Sequence, residues 1–310
     1  MERLLKEILE IPERAEICYT MNQGIKLPLK APYLGMGASY FAPLTLFFCG
    51  KDINPQMASE YHYYLSRGVA PLGVLISQSG ESSETVWNLE HFEKVITITN
   101  HPESSLGKSE KATEVIEIHA GEEGFSSNKT YTNTLIVLYL GLGINPRKGI
   151  DAVQSNVDNW QEKMRGNAKI ISDYIKSAPV NGLFILGSGP NFATAHQGAL
   201  VLSETTKFSW VGMSVAEYDH GPKETAENSV VVILNSYGKD AGRIKAITEI
   251  LQTKSNALVI ELSETKLSEQ LSPLTFIVQL NFIMYYLADI LEIGGVYIGE
   301  KVTKFSRGLQ

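Results

Sequence analysis

A turn rich in hydroxyl side chains follows a short apolar segment in the first third of the chain. Residues 74–76 read Val-Leu-Ile, the composition of a buried strand, and residues 77–85 read Ser-Gln-Ser-Gly-Glu-Ser-Ser-Glu-Thr. The apolar spacing after residue 82 predicts a helix that begins there. Backbone N–H groups and hydroxyls at such a turn can bind phosphate without a lysine. The pattern predicts an anion site formed by Ser77, Gln78, Ser79 and Ser82.

Helix capping is the alternative role for these hydroxyls, because serine and threonine often occupy helix N-termini. The second half of the chain supplies a comparison, since its Gly-x-Gly turn at Gly187 lies 152 positions after the one at Gly35. This spacing indicates an internal duplication. Residues 235–237 read Asn-Ser-Tyr where residues 77–79 read Ser-Gln-Ser. Because the hydroxyl cluster is confined to one copy, we predict one phosphate site per chain, in the first half.

Short apolar runs alternate with helical patterns in both halves of the chain. Strands are predicted at 32–34, 74–76, 95–99, 115–118, 183–186, 230–234 and 257–260, and helices at 2–22, 40–48, 57–66, 83–92, 105–111 and 151–177. This alternation is typical of parallel sheets covered on both faces. We predict an α/β chain of two tandem doubly wound αβα sandwiches, residues 1–150 and 151–310, each with about five strands. Ligands of such sheets bind beyond the carboxyl ends of the strands.

The composition argues against several classes of protein. The formal charge of −7 leaves no basic stripe for nucleic acid. Cys18 and Cys49 form no CxxC or zinc-ligand pattern, so we expect a reducing compartment and no metal. The first residues lack the apolar core of a signal peptide, and polar residues interrupt the apolar segment 276–290. We therefore predict a cytoplasmic protein without a membrane partner, and a buried helix at 276–290.

The two Gly-x-Gly turns are incomplete dinucleotide-binding motifs. A third glycine would fall at Tyr40 and Phe192, and no suitable acid follows Gly35 by about 20 residues. Glycine in these turns more simply lets the chain turn tightly near a ligand. The sequence therefore predicts no cofactor.

Five motifs resemble the sugar isomerase (SIS) domains of glucosamine-6-phosphate synthases. They are GASY at 37–40, SQSGES at 77–82, SSNK at 126–129, GALVLSE at 198–204 and AEYDHGP at 216–222. The resemblance extends over almost the whole chain, about 30–305, as two tandem domains. It implies the tandem αβα fold, a hexose phosphate or aminosugar phosphate as ligand, and a homodimer with shared active sites.

The resemblance also implies a role for each matching residue. The hexose-phosphate ligands of the family match Ser39, Ser77, Gln78, Ser79 and Ser82. Ser127 matches a sugar-contacting serine, and Glu204 matches the carboxylate that moves a proton between C1 and C2. His220 matches the histidine of ring opening, which the neighbouring subunit supplies in the family. Lys301 matches the lysine of the C-terminal tail, across a one-residue gap.

The residues alone leave plainer roles open. Glu204 could be an exposed helical acid, His220 a hydrogen-bonded loop residue and Lys301 a solvated tail lysine. A carboxylate suits C1/C2 proton transfer when its pKa lies near the working pH, and histidine suits ring opening because its pKa is near neutral. The other histidines lack a comparable context and are expected at the surface or in the core: His62, His91, His101, His119 and His196.

Two departures from the synthase pattern argue against a glutamine-dependent synthase activity. Val201 and Ser203 replace two lysines of the motif before Glu204, and no glutaminase segment with an N-terminal cysteine precedes the first domain. Ammonia is therefore not expected from glutamine. The resemblance implies a deaminase/isomerase that converts glucosamine 6-phosphate to fructose 6-phosphate and ammonia. A fructosamine-phosphate deglycase, another aldose–ketose phosphosugar isomerase and a sugar-phosphate-binding regulatory protein are the alternatives.

Overall fold

The computed structural model describes residues 2–124 and 126–293, and these divide between two compact units. We call one the serine-turn unit; it contains Arg14–Glu123 and Lys129–Asn145. The other, the Glu204 unit, contains the described residues of Met1–Glu13, Gly124–Asn128 and Pro146–Gly294. The chain thus passes between the units more than once. A single domain boundary at residue 150 stays a prediction.

Helices and strands alternate along the whole described chain. The first part contains α1 (Glu2–Leu9), α2 (Ile11–Met21), β1 (Pro32–Gly35), α3 (Ala38–Phe48), β2 (Asn54–Met57), α4 (Ala58–Glu60), β3 (Ala70–Ile76), α5 (Ser83–Trp87), β4 (Phe92–Thr99), β5 (Ala112–Glu117) and α6 (Lys129–Gly141). A π-helical turn, Tyr61–Leu65, follows α4, and a 3₁₀ turn, Asn88–His91, follows α5. The rest contains α7 (Arg147–Ser177), β6 (Gly182–Leu186), α8 (Pro190–Thr206), β7 (Trp210–Met213), α9 (Val215–His220), β8 (Ser229–Asn235), α10 (Ala241–Lys254), β9 (Leu258–Ser263) and α11 (Ser272–Ile290).

Each unit contains one parallel sheet, and the two sheets have related strand orders. The order is β2-β1-β3-β4-β5 in the serine-turn unit and β7-β6-β8-β9 in the Glu204 unit. Replacing β1–β4 by β6–β9 in chain order converts the first four strands of one sheet into the other, which is the expected result of a duplication. The predicted fold class is confirmed, with four strands in the second sheet among the described residues.

Side chains of β6 show how the second sheet is covered on both faces. Phe184 and Leu186 pack in one core cluster with Ile244 of α10. Between them, Ile185 points to the opposite face, where its Cδ1 atom lies 3.1 Å from the place that a Cβ on Gly198 of α8 would occupy. Alternate strand residues are therefore buried under different helices, as in a doubly wound sheet.

Helix α11 is a long apolar helix of the Glu204 unit. Its length and composition would suffice to cross a membrane, but 89% of its apolar window is buried inside the protein. It contacts α7 and α8 of the same unit. A helix that is apolar on all sides belongs in a core, so the predicted buried helix at 276–290 is confirmed.

The structure differs from the sequence-based prediction in three places: two strands were not predicted, and one predicted helix does not form. The edge strand β2 reads Asn-Pro-Gln-Met and pairs only with β1, so proline is tolerated there although the segment lacks strand-like composition. Strand β7 was likewise not predicted. The segment predicted as a helix at 105–111 forms turns instead, and a Cβ on Gly107 would lie 1.9 Å from the Pro102 carbonyl oxygen.

Candidate functional site

The serine turn, residues 77–85, begins with a buried serine at the end of β3. The Ser77 N–H continues the parallel ladder by donating to the Ile98 carbonyl at 3.1 Å. Its hydroxyl donates to the Ser82 hydroxyl at 3.1 Å and accepts from the Gly80 N–H, also at 3.1 Å. Ser77 is 1% exposed, so its hydroxyl holds the two sides of the turn together.

The hydroxyls of the turn do not act mainly as helix caps. Ser82 occupies the N-cap position of α5, yet within the described part of the chain its side chain makes no capping hydrogen bond. The Ser79 hydroxyl accepts locally, from the Glu81 N–H at 3.2 Å. Because α5 has only five residues, its dipole adds little here. Binding of an anion by this turn must therefore depend on the hydroxyls and local N–H groups.

A neighbouring loop braces the turn through residues that the sequence analysis missed. The Leu106 N–H donates to the Gly80 carbonyl at 3.1 Å. The Glu81 carboxylate accepts from the Ser105 hydroxyl and N–H, both at 2.7 Å. These hydrogen bonds lower the pKa of Glu81, the side-chain bond contributing most. The Glu81 carboxylate therefore stabilises the turn by binding the neighbouring loop at Ser105.

The sheet order explains why the turn is well placed for a ligand. Strands β1 and β3 are hydrogen-bonded neighbours, and the chain leaves them towards opposite edges of the sheet. In the order 2-1-3-4-5, this pair is the switch point at which ligands bind. Ser39 lies in the first turn of the helix after β1, and Ser77 directly follows β3. Gly37, with φ of 51°, makes the tight turn that leads to Ser39.

Gln78 and Ser39 are both half-buried. The Gln78 carbonyl is anchored by the Asn100 N–H at 3.0 Å and the Thr99 hydroxyl at 3.2 Å. The Ser39 N–H donates to the Met36 carbonyl at 3.1 Å. The structure thus places all five predicted phosphate ligands in one unit, at the carboxyl ends of two adjacent strands.

We expect Gly80→Ala to disrupt the turn. Gly80 has φ of 66°, and an added Cβ would lie 1.8 Å from the Ser104 hydroxyl. The strained backbone and this clash should cost about 1–3 kcal/mol and weaken phosphate binding. Thermal unfolding and the inhibition constant of inorganic phosphate measure the two effects. Gly166→Ala, in α7 with open space around the new Cβ, is the control and should be neutral or stabilising; equal behaviour of the two variants would contradict the prediction.

In the Glu204 unit, helix α8 carries Glu204 in its last turn, and the loop with Ser127 lies against the same helix. The Ser126 hydroxyl lies 3.1 Å from the Thr205 hydroxyl, and the Gln197 side-chain amide donates to the Ser127 carbonyl at 3.2 Å. Glu204 and Ser127 are both half-buried. Two contacts on one helix thus hold the predicted sugar-contacting serine in the same unit as the predicted base.

His220 is the last residue of α9 and is exposed. Its neighbour Asp219 pairs with Lys223 at 2.8 Å and with Arg243 at 3.3 Å. The hydrogen bond from Lys223 is the main cause that lowers the pKa of Asp219. An exposed imidazole at a helix end is accessible to a ligand or to another chain. Lys301 lies outside the described residues.

No protein-family model matches the chain, but several curated proteins are similar to it in sequence. The chain is 29% identical over 288 residues to a glutamine–fructose-6-phosphate aminotransferase (isomerizing) of Pyrococcus horikoshii, which covers 82% of this chain and 48% of the relative. The enzyme of the same name from Thermococcus kodakarensis is 27% identical over 340 residues, covering 92% of this chain and 54% of the relative. The chain thus spans about half the length of these curated relatives.

Solved structures share the fold along nearly the full chain. The C-terminal domain of glucosamine-fructose-6-phosphate aminotransferase from Francisella tularensis superposes with a TM-score of 0.77 at 21% identity, covering 93% of this chain and 96% of that one. Glucosamine-6-phosphate deaminase from Thermotoga maritima gives a TM-score of 0.73 at 17% identity, covering 95% of each chain. The chain is thus similar in sequence to these aminotransferases and in fold to solved phosphosugar isomerase structures.

The two departures from the synthase pattern, Val201 and Ser203, both lie in structural contacts. Val201 is fully buried, and the Ser203 hydroxyl accepts from the Trp210 N–H of β7 at 3.0 Å. A lysine at position 201 would place a charged group in the core, and a lysine at position 203 could not accept the hydrogen bond from the Trp210 N–H. The nearby Lys207 side chain donates to the main-chain carbonyl of Glu204. The surroundings of Glu204 in this chain therefore differ from the two-lysine motif.

Proposed function

We propose that this chain is an aminosugar-phosphate deaminase/isomerase that converts glucosamine 6-phosphate to fructose 6-phosphate and ammonia. The observation that carries the proposal is the serine turn at the β1/β3 switch point, in which the Ser77 hydroxyl donates to the Ser82 hydroxyl and the Ser82 side chain does not cap α5. Its relatives act on fructose 6-phosphate by name, and the similar structures include a glucosamine-6-phosphate deaminase and a tagatose-6-phosphate ketose/aldose isomerase. These names support a phosphorylated hexose or aminosugar as the substrate.

In this proposal, the serine turn binds the phosphate and the Glu204 unit supplies the proton transfers. His220 moves a proton from O1 to O5, which opens the sugar ring. The Glu204 carboxylate takes the proton from C2 of the open-chain aldose and returns it to C1. In the same conversion O1 gains a proton and the C2 amine loses one, so that the C1 carbonyl becomes a hydroxyl and the amine becomes an imine. Water adds to C2, the C–N bond breaks, and ammonia leaves to give the ketose. Lys301 is proposed to stabilise the oxyanion formed during proton transfer.

Two enzymatic rivals share the same first steps. A fructosamine-phosphate deglycase would bind the same phosphate but accept a larger substituent on nitrogen. A simple aldose–ketose isomerase would stop after proton transfer and release no ammonia. A regulatory protein would bind the sugar phosphate without turnover. These possibilities differ in product, so one assay separates them.

The test incubates the full chain with glucosamine 6-phosphate, with fructosamine 6-phosphate adducts of amino acids, and with hexose 6-phosphates that lack an amino group. Ammonia, free amino acid and the hexose phosphate formed are measured in parallel, because an amino-acid adduct releases the amino acid instead of ammonia. We expect equal amounts of ammonia and fructose 6-phosphate from the aminosugar. Ketose without ammonia would indicate the isomerase, and turnover restricted to adducts would indicate the deglycase. Hexose-phosphate binding without turnover across the whole panel would contradict an enzymatic function.

A further inference from the structure

A cluster of two histidines and a glutamate lies in the serine-turn unit, and the proposed reaction does not use it. We call His62, Glu90 and His91 the His–Glu–His cluster. Nε2 of His91 lies 3.1 Å from Nδ1 of His62. Oε1 of Glu90 lies 3.7 Å from the His62 nitrogen and 3.5 Å from the His91 nitrogen. Three potential ligand atoms therefore face one another.

These three separations match one face of a tetrahedral metal site. Zinc binds histidine nitrogen at about 2.0–2.1 Å and carboxylate oxygen at about 2.0–2.2 Å, usually in tetrahedral geometry. Neighbouring ligand atoms around such an ion are then roughly 3.3–3.5 Å apart. The observed edges of 3.1, 3.5 and 3.7 Å need only small side-chain adjustments to reach these values.

The two segments that carry the cluster are already held together. His62 lies in the π-helical turn, a form of helix that often occurs at functional sites. Glu90 and His91 end the 3₁₀ turn after α5. The buried Asn88 side chain, in the 3₁₀ turn, donates at 2.8 Å to the Ala58 carbonyl of α4, the helix directly before the π-helical turn. A metal ion would therefore meet ligands that the fold has brought near one another, at little ordering cost.

A second hydrogen bond orients one of the imidazoles. The Ser66 hydroxyl lies 2.9 Å from Nδ1 of His91. If Nδ1 carries the proton and donates to Ser66, then Nε2 presents its lone pair to the cluster. Metal-binding histidines regularly use their second nitrogen in this way. A plain hydrogen bond between His62 and His91 would explain their distance, but it would place no requirement on Glu90 or Ser66.

We propose that His62, His91 and Glu90 bind one divalent transition-metal ion of the zinc type, with water as the fourth ligand. Two imidazoles and one carboxylate favour such ions over magnesium or calcium, which prefer all-oxygen sites. Bound metal would fix the end of the 3₁₀ turn to the π-helical turn. The sequence predicted no metal, and both histidines were expected at the surface or in the core because neither lies in a recognisable motif. In the chain, 29 positions separate them.

The test measures zinc binding to the full chain by titration calorimetry after removal of metal with a chelator. We expect one zinc ion per chain that excess magnesium does not displace. His62→Ala and His91→Ala should each weaken binding more than about 100-fold, and Ser66→Ala by about 10–100-fold, as loss of an outer-shell partner does. His101→Ala, which removes an exposed histidine of the same unit, should bind zinc within about twofold of the parent, a control difference well below those outer-shell losses.

Thermal unfolding distinguishes a histidine variant that has lost zinc binding from one that no longer folds. Zinc should raise the melting temperature of the parent chain but leave that of His62→Ala unchanged, since only binding to the folded state stabilises it. Glu90→Gln, at an exposed side chain, should fold normally and bind zinc more weakly. Zinc affinity equal in the parent chain, Glu90→Gln and the histidine variants would overturn the proposal, as would absence of zinc binding by the parent.

Discussion

Replacing Glu204 by glutamine should lower kcat on a phosphorylated aminosugar by about 10²–10⁴-fold, the usual contribution of a general base. Glutamine has nearly the same shape as glutamate but cannot accept a proton at neutral pH. Helix α8 should keep its structure, because the Ser126–Thr205 and Gln197–Ser127 contacts do not involve the Glu204 carboxylate. KM should change far less than kcat, since the phosphate is proposed to bind elsewhere.

The sharpest measurement of this effect is exchange of carbon-bound hydrogen with solvent. In heavy water, the parent chain should place deuterium on C1 or C2 of the sugar, and Glu204→Gln should do so at a rate reduced in proportion to kcat. Glu162→Gln is the matched control, because Glu162 is an exposed helical glutamate of the same unit. Equal exchange by the parent and Glu204→Gln would show that another group moves the proton.

Sequence pattern predicted those parts of the fold in which local and tertiary preferences agree. Apolar runs such as 74–76 and 230–234 form central parallel strands, because such strands are buried on both faces. The edge strand β2 could not be predicted, since its Asn-Pro-Gln-Met sequence becomes a strand only through pairing with β1. The fold class was predicted from such apolar runs, and the duplication from the spacing of the two Gly-x-Gly turns.

Some parts of the candidate site could likewise be predicted from the sequence, and others could not. The serine turn was visible because its hydroxyls are contiguous in the sequence. The bracing loop with Ser105 was not, since its hydrogen bonds to Glu81 span 24 positions without any characteristic spacing. The His–Glu–His cluster was missed for the same reason. Contacts between distant segments depend on how strands are ordered in the sheet, which a single sequence does not specify.

The Ser127 loop shows what the family resemblance added. Residues 126–129 alone predict only a polar loop, and the resemblance gave Ser127 a sugar-contacting role. The structure adds the physical link, because Gln197 and Thr205 of α8 hold this loop. The Gln197 side chain, 0% exposed, is therefore a positioning residue that the sequence analysis did not identify.

Ser77→Ala should raise KM for a hexose 6-phosphate by about one to two decades with a smaller change in kcat. A hydrogen bond to a charged group contributes roughly 1.5–3 kcal/mol, which corresponds to this range of affinity. The buried Ser77 hydroxyl also positions the Gly80 N–H and the Ser82 hydroxyl, so its loss should loosen the turn as a whole. Steady-state kinetics and competitive inhibition by inorganic phosphate measure the effect, and both constants should rise together.

Ser236→Ala is the matched control for this prediction. Ser236 is also buried, 7% exposed, and lies in the corresponding turn of the Glu204 unit after β8. If serines in such turns only stabilise the fold, the two variants should lower the melting temperature similarly and leave KM alone. If the turn at 77–85 binds phosphate, only Ser77→Ala raises KM. An unchanged KM in Ser77→Ala would contradict the phosphate assignment even if Glu204→Gln were inactive, because proton transfer and phosphate binding are proposed for different residues.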